Sequence, residues 1–247
     1  MIYGRPWLKR DPSMVREISS TLLSDGSSDA ALIQIVQWTL DRHSGNATVQ
    51  PPKHAKLGML RKPPRSLAHR IEAAIQYYPC DILFVHRDAE KSTQKKRLQE
   101  IAHAANANLL SSPQFEFVGV VPVRMTEAWL LGHLGAIRKA AGNPHGSMGL
   151  DVPALSQLEW VPDPKQLLHA ALRKASGLTG RRLKRFKPGK ASHRICDHIN
   201  SFEHLLRLPA FRRFYDDTGR VCSRIGKHNS GEEMRDVRKP GPKSYRP

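Results

Sequence analysis

The spacing of apolar positions changes several times along the chain, and each change predicts an element. Residues 18–23 mix β-branched, Ser and Leu residues ahead of "SDG", the pattern of a short strand closed by a turn. Beyond the turn, Leu32, Ile35, Val36, Thr39 and Leu40 recur at three and four, which predicts an amphipathic helix. Residues 45–65 hold four prolines and no sustained period, so they predict loop with one short strand near 47–49. Leu67, Ile71, Ala74, Ile75 and Tyr78 then share a helical face, and Pro79 stops it. "ILFV" at 82–85 is a continuous apolar run, as in strands covered on both faces, and polar residues from His86 mark its end. Residues 94–105 predict a helix and 115–123 a third strand. "TEAWLLGHLGAIRKAA" predicts a helix with Thr126 as N-cap and Leu130, Leu134, Ile137 and Ala141 on its buried side. After a Gly- and Pro-rich connection over 142–164, helices are expected over 165–177 and 192–207, with a short one around 210–215.

Strands alternating with helices predict an α/β fold, a mostly parallel sheet flanked by helices over residues 1–141. A small helical, basic part follows over 142–225, then a flexible charged tail over 226–247 with little to bury. Open parallel sheets bind ligands beyond the carboxyl ends of their strands. Asp25, Asp88 with Glu90, and Glu127 each follow a predicted strand, so one sheet edge can gather them. Carboxylates there suit Mg²⁺ or Mn²⁺, and such an ion beside a phosphodiester withdraws charge and activates water. Asp25, Asp88 and Glu90 are the expected ligands, with Asp29 and Glu127 completing or orienting the site. The same acids also suit plainer roles: Asp25 or Asp29 as a helix cap, and Glu127 at the positive end of a helix dipole. His86, at a strand tip, either acts on a proton or phosphate or serves as a hydrogen-bonded scaffold residue. Arg87 and Arg124 can neutralise phosphate.

Charge adds a partner class. The chain of 247 residues carries 40 Lys+Arg against 22 Asp+Glu, a net +18, which favours a polyanion such as nucleic acid. Residues 181–247 hold 18 of the basic residues and 7 of the acidic ones, so the C-terminal part is the expected contact surface. Lys165, Arg181, Arg182, Lys184, Arg185 and Lys187 are its candidate contacts. The three cysteines form no C-x-x-C pair, which argues against zinc or dithiol chemistry and fits a reducing cytoplasm. No run has the order of a signal peptide, and none reaches the roughly 18 to 20 apolar residues of a membrane span, so a soluble cytoplasmic protein is expected. "GKAS" at 189–192 lacks the spacing of a phosphate-binding loop, and no H-E-x-x-H, G-x-S-x-G or G-x-G-x-x-G occurs.

The order "SDGSSD", "ILFVHRDAE", "PVRMTEAWLL" resembles a Toprim-type fold, in which an acid and a Gly follow the first strand and paired acids follow a later one. More narrowly it is similar to a bacterial Toprim-related family of unknown function, with an E-G-x-[ST]-[DE] motif, an apolar strand ending in acids and a "tEAWLL" helix. "DPK" at 163–165 ahead of a Leu-rich helix adds to the likeness, which covers roughly residues 20–215. The resemblance implies that Asp25 stands at the proton-handling or metal-binding acid, and Asp88 with Glu90 at metal ligands. It also implies a link to phage defence, commonly beside an ATPase partner. Two positions depart from the pattern: Asp25 replaces the usual Glu, and His86 stands where many such proteins have the first acid of the pair. The leading expectation is a Mg²⁺-dependent Toprim-type nuclease acting on DNA or RNA. A non-catalytic subunit binding nucleic acid or an ATPase partner is the alternative, and His86 favours it. Small-molecule phosphotransfer ranks last, because it leaves the C-terminal positive excess unexplained.

Overall fold

The computed structural model describes residues 17–26, 31–109 and 115–236, with the backbone alone at 108–109 and 227–236. The first apolar stretch becomes two strands, β1 (Glu17–Ile18) and β2 (Ser20–Leu23). Ser19 separates them and donates to the Asp81 carboxylate from its backbone N–H at 2.8 Å and its hydroxyl at 2.6 Å. β1 pairs with β3 (Thr48–Val49), while β4 (Lys53–His54), β2, β5 (Ile82–His86) and β6 (Glu116–Val120) form a parallel sheet in the order β4-β2-β5-β6. Every residue of β2 and β5 is buried, as central strands covered on both faces require. β4 has no counterpart in the sequence expectation, because two residues between prolines and a loop carry no period.

Alternation along β5 splits the interior in two. Ile82 and Phe84 join Leu22 and helix α1 (Leu32–His43) on one face. Leu83 and Val85 join Leu23 and the helices α2 (Leu67–Tyr77) and α3 (Gln94–Leu109) on the other. α1 buries the five residues that the spacing marks. α2 starts where Ser66 Oγ accepts from His69 N at 3.3 Å, a side-chain N-cap.

The helix expected over 126–141 is two: α4 (Glu127–Leu130) and α5 (Leu134–Ala140). They break at Gly132, where an added Cβ would lie 2.8 Å from Leu205 Cδ2, so the chain bends where another element presses in. His133 then caps α5 by accepting from Ala136 N at 3.3 Å, and Leu134, expected to be buried, is 43% exposed. α6 (Pro164–Ala175) forms as expected, with Asp163 Oδ1 accepting from Gln166 N at 2.8 Å and Pro164 in the first turn.

The helix expected over 192–207 gives way to 3₁₀ turns at Cys196–His198 and Glu203–Arg207, and two short helices, α7 (Gly180–Arg185) and α8 (Pro188–Ser192), precede them. After the buried Ile195, the buried residues Cys196, Ile199, Phe202, Leu205 and Leu208 recur at three, the repeat of a 3₁₀ turn rather than an α-helix. The short helix expected at 210–215 is the start of α9 (Pro209–Asp236), 28 residues long. Its rings lock the larger core: Trp129 lies 5.0 Å from Phe211 at 82°, and Phe214 lies 6.1 Å from Phe84 of the sheet. Among the described residues no helix is long and apolar enough to cross a membrane.

Candidate functional site

From β2 the chain moves first to β4 on one side and then to β5 on the other, so the ends of β2 and β5 flank a topological switch point. Such crevices are where open parallel sheets hold ligands. Asp25 lies two residues past β2 and Arg87 one past β5, brought side by side by the Leu23↔Val85 register. Arg87 Nε is 3.6 Å from Asp25 Oδ2, and Arg70 of α2 donates to Asp25 Oδ1 from Nη1 and to the Ser24 carbonyl from Nη2 at 2.6 Å. Arg87 also faces Glu100 at 3.5 Å, and Arg97 donates to the same Glu100 oxygen at 2.9 Å. The crevice is therefore a lattice of three guanidiniums and two carboxylates, in which Asp25 is paired with cations.

His86 and Asp88 belong to a different cluster. The Val120 carbonyl, 3.0 Å from His86 Nδ1, can only accept, so Nδ1 carries a proton. Nε2 then faces Thr126 Oγ1 at 3.3 Å and Asp88 Oδ1 at 3.5 Å, while Asp88 Oδ1 accepts from Thr126 N at 3.0 Å. His86 is only 2% exposed. Thr126, expected to cap the following helix, makes no cap bond and instead joins this cluster. Asp88 thus ties the entry of α4 to the end of β5.

Alternation explains why the expected acids stay apart. Leu23 and Val85 point to the α2 and α3 side, and Asp25 and Arg87 continue that parity. Phe84 points to the α1 and α9 side, and His86 and Asp88 continue that one, meeting Thr126. Glu90 is exposed with a left-handed backbone, φ 49°, and its N–H donates to the Arg124 carbonyl at 2.9 Å. Arg124 in turn donates from Nη1 to the Glu90 carbonyl at 3.3 Å. Backbone pairing thus runs past the strands, with Ala89 N donating to Pro122 O at 3.2 Å. Among the described residues no three His, Cys, Asp or Glu side chains form a group able to hold a metal ion. The described carboxylates therefore do not fit a shared Mg²⁺ or Mn²⁺: Asp25 is held by arginines, Asp88 faces the other side, and Glu90 extends outward. Asp29 lies outside the described residues. Glu127 acts electrostatically on His169 of α6, on the helical side of the molecule.

The basic C-terminal residues form a surface. None of the six residues of α7 is buried, and Arg181, Arg182, Lys184 and Arg185 are all exposed, as is Lys187 just beyond. Leu183 and Phe186 are half-buried, and Phe186 packs on the larger core. On α6 a cleft of about 480 Å³ is lined by Asp163, Lys165, Gln166, His169, Ala170 and Arg173. His169 titrates below its ordinary range, first because it is partly buried and next because Lys165 is close. Sequence reasoning missed Arg70, His169 and Arg173. The i, i+4, i+8 spacing of Lys165, His169 and Arg173 was a usable signal, whereas Arg70 had none. No protein-family model, curated protein or solved structure matches the chain.

Proposed function

We propose that this is a non-catalytic nucleic-acid-binding protein with a Toprim-like layout, which holds the phosphate backbone on the basic helices of its C-terminal part. The observation that carries this reading is α7, a helix with no buried residue and four exposed cations in six positions. Burial does not account for such a segment, and four adjacent cations repel one another unless a polyanion neutralises them. The net +18 of the chain supports the same partner. Asp25 in its arginine clamp, and Asp88 in its bond to Thr126, support a binding role over a metal-dependent one. The free Cys80, Cys196 and Cys222 support action in a reducing compartment such as the cytoplasm.

Fluorescence anisotropy with single- and double-stranded DNA and RNA tests the proposal. The affinity is expected to fall linearly on a log–log salt plot. Replacing Arg181, Arg182, Lys184 and Arg185 with Ala is expected to lower it at least about tenfold and to reduce the slope by roughly 0.7–0.9 per lost phosphate contact. Binding indifferent to salt, or unchanged in the quadruple variant, removes the proposal. Cleavage in Mg²⁺ or Mn²⁺ that Asp88→Asn abolishes would overturn the non-catalytic part and restore the hydrolase reading.

A further inference from the structure

The open cleft along α6 differs from the exposed cations of α7 because a half-buried imidazole stands among its exposed cations. Lys165, His169 and Arg173 fall four residues apart on one helix face, so their stems rise about 6 Å from each to the next. Lys165 stands in the first turn of this 12-residue helix, where the dipole favours an anion. α8 packs across α6 with Pro188 and Ala191 buried, which places Gly189 at the ring: a Cβ built there would lie 4.0 Å from His169 Nε2. Lys187 and Lys190, near Gly189 in the chain, are exposed.

We propose that this cleft binds a phosphate group, with Lys165, His169 and Arg173 as its donors and His169 taking up a proton as the anion enters. This deepens the nucleic-acid-binding reading, and it rests on that reading for the source of the phosphate. The charges acting on His169 are Lys165, Arg173 and Asp163 of its own helix and cap, and Glu127 from α4, while α8 presents the backbone of Gly189. Partial burial first, and then the nearby Lys165 and Arg173, disfavour the imidazolium in the empty cleft. An entering phosphate reverses the local sign, and the imidazolium then becomes a third charged donor. Asp163 is engaged with Gln166 N–H, which orients its carboxylate toward the helix end.

The test uses the full chain, with the His169 ring followed by NMR while inorganic phosphate and, separately, a single-stranded oligonucleotide are added. Both are expected to move the His169 titration upward. Phosphate affinity is expected to rise several-fold as the pH falls from about 7.5 to about 5.5. His169→Gln should remove that pH dependence while leaving thermal unfolding near the parent value, and Lys165→Met with Arg173→Met should abolish phosphate binding while α7 is intact. A His169 titration that phosphate leaves unmoved overturns the proposal, as does an unchanged pH dependence in His169→Gln. Oligonucleotide binding without any His169 response overturns the cleft but leaves the α7 reading standing. A response to inorganic phosphate with none to the oligonucleotide supports the cleft and overturns the backbone as its source.

Discussion

A carboxylate shared by two guanidiniums stabilises a fold only as far as water is kept away from it. Asp25 is 49% exposed at the side chain, so its pairs with Arg70 and Arg87 are screened. Asp25→Asn is expected to change the unfolding free energy by less than about 1 kcal/mol in urea titration. A larger loss would mean that the clamp carries the turn after β2. Thr126 is buried, and its hydroxyl serves His86 and Asp88, so Thr126→Val is expected to cost about 1–3 kcal/mol in the same measurement, more than the ion pair. Glu159 gives a pH signature. It is 7% exposed, and burial raises its pKa against the opposing bond from Ala210 N at 3.0 Å. A folded pKa above the unfolded one means that the charged form costs stability above the folded pKa, and that this cost is relieved as the pH falls toward the unfolded value near 4.3. Glu159→Gln, which keeps the acceptor oxygen, should therefore raise the melting temperature at neutral pH and lose that advantage near pH 4. An equal gain at both pH values would show that the carboxylate charge is not penalised.

Between elements, contact distance outweighs propensity. Gly219 lies within α9 against His43 of α1, and a Cβ there would sit 2.7–3.2 Å from three ring atoms. Replacing Gly by Ala in a helix gains about 1 kcal/mol of propensity, but overpacking a rigid ring costs about 1–3 kcal/mol. The ring cannot swing aside cheaply, because Tyr215 packs on it with centroids 4.2 Å apart. Gly219→Ala is therefore expected to lower the melting temperature, and an increase would show that α1 and α9 can separate without cost. The same contact explains why the spacing predicts only a short helix around 210–215. Phe211, Phe214, Thr218, Val221 and Cys222 keep helical spacing and are buried, but a glycine and a run of charges among them look like a helix end until α1 is in place.

At the scale of the molecule, one core crosses the boundary that composition places between residues 141 and 142. Phe84 and Trp129 pack with Leu168, Phe211 and Phe214 in a single cluster. Phe211→Ala is expected to cost about 3–5 kcal/mol, and the loss should appear in sheet and helix signals together as one cooperative transition, read by near- and far-UV circular dichroism. Two separate transitions would show that the parts fold independently. The α/β alternation, the central strands β2 and β5, and helices α1, α2 and α6 were legible in the sequence, because burial on both faces or on one stripe writes a period of its own. The three-residue spacing from Cys196 to Leu208 is equally written, but by itself it also predicts an α-helix. The basic surface was legible as well, since charge excess needs no coordinates. What tertiary structure alone decided was which acids meet. Chain order puts Asp25 and Asp88 at the ends of adjacent strands, but register and the two-residue alternation turn one toward Arg70 and Arg87 and the other toward Thr126. Proximity along a sheet edge is a one-dimensional property, whereas sharing a ligand requires the same face, and that is set only when the strands pair.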